Sequence, residues 1–134
     1  MSRHVLDVET RSREELRDIT GPVSRLVQDE GLDDGLCAVY CSHTTCGLTI
    51  NENADPDVKR DILHALCRFV PREDPAYRHA EGNSAAHVKA SLMGFSLLIP
   101  ISGRTVALGR WQGIYLCEFD GPRRRRLYVD LMRS

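Results

Sequence analysis

The chain has 134 residues, 42% hydrophobic and 28% charged, with a formal net charge of -1. That length suits one domain with a real core, and a charge so near zero removes any global pull toward nucleic acid or acidic membranes. No run approaches the ~20 apolar residues of a membrane span, the opening MSRHVLDVET lacks a signal-peptide core, and an odd count of five cysteines fits reduced thiols in a cytoplasmic chain.

In HVLDVET, Val5 and Asp7 alternate with Leu6 and Val8, which predicts a strand. TGPVSRLVQDEG reads as a helix: Thr20 can cap it, Val23, Leu26 and Val27 form a short stripe, and Gly31 ends it. LCAVYCSH is rich in β-formers and follows a DDG turn. Its alternation sets Cys37, Val39 and Cys41 on the core side, with His43 continuing that row at the strand's end. GLTINE is a second strand.

ADPDVKRDILHALCRFVP is the clearest helix. Asp55 caps it, Pro56 takes the first position, Val58, Ile62, Leu66 and Phe69 form the stripe, and Pro71 stops it. PREDPAYRHAEG is a loop, because two prolines and a glycine break any period. Asn83 or Ser84 then caps a short helix whose apolar face is Ala85, Val88 and Leu92, ended by Gly94. FSLLIPI, TVALG, GIYLCEF and RLYVDLM read as four closing strands. Strands dominate, about three helices are inserted, and strand and helix do not alternate. The expectation is one α+β domain over residues 1–134 with a mainly antiparallel sheet.

Three polar clusters stand out. HAEGNSAAHVKAS carries His79, Glu81, Asn83, His87 and Ser91, with His87 and Ser91 on one helix face. Its spacing matches no standard zinc pattern, so a capped helix with a core-edge histidine is the plain alternative. CSHTTCGLTINEN puts His43, Thr44 and Thr45 where a strand ends, the kind of turn on which sites are built. Cys41, His43 and Cys46 have a ligand-like spacing, but a core-facing Cys41 reads as packing. In GRWQGIYLCEFDGPRRRR, Trp111 can stack on a flat ring or plug a core. Gln112 and Glu118 can hydrogen-bond a heterocycle. Arg123 to Arg126 can fork onto phosphate or form a solvated strand start, and lack the aromatic interleaving of nucleic-acid binders.

Together, SHTTCGLTINENADPDV, HAEGNSAAHVKASLMG and LGRWQGIYLCEFDGPRRRR resemble, in order, the signature blocks of the YjbQ-like family, described as secondary thiamine-phosphate synthase enzymes. The resemblance runs from about Val5 to Val129. It implies an α+β homotrimer in which the clusters converge on one pocket at or near the subunit interface. It implies catalytic roles for His43, Glu52, Glu81 and His87, and substrate contacts from Thr45, Asn53, Asn83, Ser91, Arg110, Trp111, Gln112, Glu118 and Arg123. His43, His79 and His87 become candidate ligands of a divalent metal, zinc or magnesium; the same rings can shuttle protons with no cofactor at all.

The implied reaction joins a pyrimidine pyrophosphate to a thiazole phosphate in the cytoplasm, with a small phosphorylated molecule and other copies of the chain as partners, and neither nucleic acid nor membrane. The alternatives are a metal- or small-anion-binding trimer without that role, or a metal-assisted phosphoester hydrolase. Three positions depart from the family's habit: Arg110 where threonine is common, Phe95 for proline and Cys46 for alanine.

Overall fold

The computed structural model describes Met1–Ser134. The elements run β1 (Ser2–Glu9), β2 (Glu15–Asp18), α1 (Thr20–Glu30), β3 (Asp34–Cys41), β4 (Cys46–Glu52), α2 (Pro56–Phe69), α3 (Ser84–Met93), β5 (Ser96–Ser102), β6 (Thr105–Val106), β7 (Gln112–Glu118) and β8 (Arg124–Arg133). They form two sheets, a five-stranded one in the order β1-β8-β3-β5-β6 and a three-stranded one in the order β2-β7-β4. Every pairing is antiparallel. This is the expected α+β architecture with three helices, and no helix is long and apolar enough to cross a membrane.

Period-two side chains explain the layering. On β3, Cys37, Val39 and Cys41 point inward, and their paired neighbours on β8, Leu131, Val129 and Leu127, point the same way. The second sheet contributes Leu48, Ile114 and Leu116, and α1 adds Val23 and Val27. Each such burial contributes about 1.5–3 kcal/mol relative to exposure. β7 is buried on both faces. Ile114 and Leu116 enter this main core, while Tyr115 and Cys117 enter a smaller cluster with Leu16, Ala86, Ala90 and Phe119 beneath α2 and α3.

Several local expectations change. Thr20 does not cap α1; Ile19 holds that position without a side-chain bond, and the Thr20 hydroxyl instead accepts the Ile114 N–H at 2.8 Å. That bond ties the helix to β7, so a sheet donor wins over a helix donor. Phe69 is 82% exposed, and Leu63 joins Ile62 and Leu66 against the smaller cluster instead. β2 was not foreseen.

On α3 the buried residues are Ala85, Ala86, Lys89 and Ala90, while Val88 and Leu92 face outward. Small size decides this. The helix closes onto β4 at Gly47, where an added Cβ would lie 2.7 Å from the Gly94 carbonyl oxygen, and the Leu48 N–H donates to that oxygen at 3.0 Å. The close approach docks the C-terminal turn of α3 on the start of β4, and so fixes the helix whose first turn lines the site.

Candidate functional site

Where β3 gives way to β4, the loop 42–45 meets the turn from β7 to β8 and the start of α3. A cavity of about 300 Å³ opens there. The loop supplies Ser42, His43, Thr44 and Thr45, the β7–β8 connection Asp120, Arg123 and Arg125, and the α3 end Glu81, Asn83 and His87. No hydrophobic side chain lines it. A larger hollow along α2 is bounded only by Asp57, Arg60, Asp61 and His64, four side chains of a single helix, and gathers no residues from distant parts of the chain.

The floor is a buried ion pair. Glu118 follows Ile114 and Leu116 on β7 in the core-facing row, and Arg125 precedes Leu127 in the matching row of β8. Arg125 Nε donates to Glu118 Oε1 at 2.9 Å, a second guanidinium nitrogen bonds Glu118 Oε2, and Nη2 also reaches the Thr45 hydroxyl at 2.9 Å. Burial works against the charge on Arg125, but the bonds to Glu118 and nearby negative groups outweigh it and raise its pKa. Glu118 is spent entirely inward, since it also accepts from the Thr10 hydroxyl and the Asp120 N–H. It braces the pocket from behind and does not line it.

The rim is held by Asp120. Its Oδ2 accepts from Arg123 Nη2 at 2.8 Å and from Asn83 Nδ2 at 2.9 Å, linking the β7–β8 connection to the N-cap of α3. Arg123 is half exposed, so part of its guanidinium faces the cavity mouth. His43 Nε2 accepts the Arg126 backbone N–H at 2.9 Å. Burial first, then the charge of Arg125, lowers its pKa, so the ring is neutral with its hydrogen on Nδ1. His87 meets His79 edge-to-face, with ring centroids 5.3 Å apart.

These positions divide the expected site residues into two groups. His43, Thr45, Glu81, Asn83, His87 and Arg123 share the cavity, with Glu118 behind it and His79 beside His87. Ser91 is exposed farther along α3. The other group gathers at the opposite end of the three-stranded sheet, where Glu52 pairs with Gln112. There Glu52 Oε2 accepts the Ala54 N–H, Asn53 Oδ1 accepts the Tyr115 hydroxyl at 2.6 Å, and Gln112 Oε1 accepts the Gly109 N–H. Arg110 stacks over an exposed Trp111. Within one chain the three clusters therefore build two poles, not one pocket.

Within one chain His79 and His87 stand together, while His43 is engaged by the Arg126 N–H. No three His, Cys, Asp or Glu side chains are grouped to hold an ion. The lone pair of His43 Nε2 is engaged by Arg126, and its other nitrogen carries the hydrogen. Asp120, central to the pocket, was not foreseen, and Arg125 was read only as one of the Arg123–Arg126 run, not as its buried member. Period-two counting back from Leu127 puts Arg125 on the inward row and would have signalled a buried charge in need of Glu118.

Fold and site define a class: a small two-sheet α+β domain with an entirely polar pocket built from imidazole, carboxylate and guanidinium groups. A family model described as "UPF0047 protein YjbQ-like" matches residues 4–134, and the chain belongs to that family. It is 48% identical to UPF0047 protein YugU of Bacillus subtilis over 95% of this chain and 96% of that protein. It is 47% identical to UPF0047 protein MJ1081 of Methanocaldococcus jannaschii, over 93% and 90%. A crystal structure of a YjbQ/UPF0047 protein from Clostridium acetobutylicum superposes with a TM-score of 0.93 at 49% identity, covering 96% of this chain and 99% of that one. The hypothetical protein APE1520 of Aeropyrum pernix K1 gives 0.94 at 32% identity over the whole of both chains.

Proposed function

We propose that the pocket binds a small phosphorylated molecule and that the protein is a weak, secondary thiamine-phosphate synthase-type enzyme of the cytoplasm. The observation that carries this reading is the convergence of His43, His87, Arg123 and Arg125 on one cavity with no apolar wall. In the reaction, the carbon–oxygen bond between the pyrimidine's methylene and pyrophosphate breaks, a bond from the thiazole nitrogen to that carbon forms, and the electron pair leaves with pyrophosphate. Negative charge grows on the departing oxygens, where the outward part of Arg123 and the positive end of α3 stabilise it. His43 offers an Nδ1–H donor, because its Nε2 is already bonded. His87 is free to hold the proton for the leaving oxygen.

The apolar outer face of the five-stranded sheet supports assembly as a homotrimer. Val5, Tyr40 and Leu98 are each more than half exposed there, apolar side chains that a partner subunit would cover.

The test is pyrophosphate release from the two thiamine precursors. His87→Ala should lower kcat by about 100-fold while leaving the melting temperature and the light-scattering mass of a trimer unchanged. Bound phosphate, zinc or magnesium at one per chain without pyrophosphate release would replace this reading with a binding protein, and turnover of generic phosphoesters would replace it with a hydrolase.

A further inference from the structure

Cys41 closes β3 and Cys46 opens β4. Both are buried, and their sulfurs lie 3.4 Å apart. Cys41 Sγ also donates to the Cys46 carbonyl at 3.5 Å. The other cysteines are not paired in this way: Cys37 and Cys117 are buried, and Cys67 is exposed beside Glu14 and Lys89. The four residues between Cys41 and Cys46 are all pocket wall. Two of them are anchored, His43 to the Arg126 N–H and Thr45 to Arg125. Packing alone would be served by a methyl group at position 46; two thiols in contact across the ends of a site loop have redox chemistry that a methyl lacks.

We propose that Cys41 and Cys46 are a reversible dithiol whose oxidation by a hydroperoxide cross-links the ends of the loop 42–45 and reshapes the pocket. The oxidant is small and polar, and the cavity wall formed by residues 42–45 is the chain segment that directly joins the two buried cysteines. The Cys41 thiolate attacks a peroxide oxygen and the O–O bond breaks. With hydrogen peroxide this gives a sulfenic acid and, with the proton Cys41 released, one water; an alkyl hydroperoxide leaves as its alcohol instead. Cys46 then attacks the sulfenic sulfur; the S–O bond breaks and a second water leaves with the Cys46 proton. Two electrons pass from the sulfurs to the peroxide.

Closing the gap from 3.4 Å to a disulfide's ~2.05 Å requires the two buried sulfurs to approach, and on this proposal the Cys46 backbone moves with its sulfur. Thr45, next to Cys46, therefore shifts against Arg125. On the phosphate reading above, affinity for phosphate falls about tenfold, the size of one lost bond to a charged group.

The test exposes the folded full-length protein to graded hydrogen peroxide, alkylates it under denaturing conditions and maps the peptides. Exposed Cys67 reports the dose, and Cys37 and Cys117 report nonspecific oxidation of buried thiols. The expected result is a Cys41–Cys46 link that dithiothreitol reverses, with Cys37 and Cys117 still alkylated. The His43 ring resonance should shift with the link, a readout that needs no ligand. Cys46→Ala should form no link and leave Cys41 as a sulfenic acid trappable by dimedone. Cys41 and Cys46 remaining alkylatable after Cys67 is fully oxidised would overturn the proposal, as would a link that forms only in unfolded protein or leaves His43 unmoved. Calorimetry with inorganic phosphate on the reduced protein is kept separate: no binding there removes the phosphate reading and leaves the dithiol standing on mass and resonance alone.

Discussion

Replacing Glu118 with glutamine tests whether the pocket rests on its buried ion pair. Glu118 is 0% exposed and Arg125 is 3% exposed. The substitution keeps the shape and removes the negative charge, so the guanidinium stays buried with no counter-ion. Its amide also presents a donor where Arg125, Thr10 and the Asp120 N–H all need acceptors. Breaking a buried pair from one side costs about 3–5 kcal/mol, a large share of the 5–15 kcal/mol that typical domains hold. An unfolding entropy of about 2.1 cal/mol/K per residue over 134 residues gives about 0.28 kcal/mol/K, so Tm should fall by about 10–18 °C. Differential scanning calorimetry measures this directly. The double variant Glu118→Leu with Arg125→Met should recover much of the loss, because an apolar pair of similar volume replaces the ions. A Glu118→Gln protein melting within about 3 °C of the parent would refute the reasoning, since Arg125 would then be finding water or another anion.

Three further outcomes follow from the same geometry. Because the folded His43 pKa lies below its ordinary 6.5, the unfolded chain takes up its proton first as pH falls. Stability from this group is therefore complete above about 6.5 and lost as pH drops toward the folded value; proton NMR should find its titration midpoint below 6.5, and a midpoint above it would contradict the burial of the ring beside the Arg125 charge. Asp55→Ala removes the acceptor for the Asp57 N–H at 2.9 Å and should cost about 1 kcal/mol, read from urea midpoints. Gly47→Ala forces a methyl against the Gly94 carbonyl and should cost about 1–3 kcal/mol; it should also displace the α3 resonances of Asn83 and His87, whereas a shift confined to β4 would show that the helix is not held there.

The legible parts of this fold were those where one local rule acted alone. Alternation read β1, β3 and β8, and Asp55-Pro56 announced α2. β2 was hidden because Glu15, Arg17 and Asp18 surround its one buried side chain, Leu16. The α3 face was misread because size pointed to Val88 and Leu92, whereas contact with β4 selects alanines; that choice depends on Gly47, more than thirty residues earlier. The site shows the same division. His43, Glu81, Asn83, His87 and Arg123 were recognisable as unusual chemistry, but their separation from Trp111 and Glu52 follows from sheet length and from which end of β7 each occupies. The resemblance joined the clusters by family habit, and only the strand register assigns them to opposite poles.

The position of β8 between β1 and β3 also bears on biosynthesis. β1 pairs along its whole length with β8, from Ser2 opposite Leu131 to Glu9 opposite Arg124. Until residues 124–133 have been made, the first strand has no neighbour and β3 has one bare edge. A translating ribosome therefore carries a chain with open hydrogen-bonding edges, the kind that invite pairing with other chains, and loss of this strand would divide the larger sheet rather than trim it.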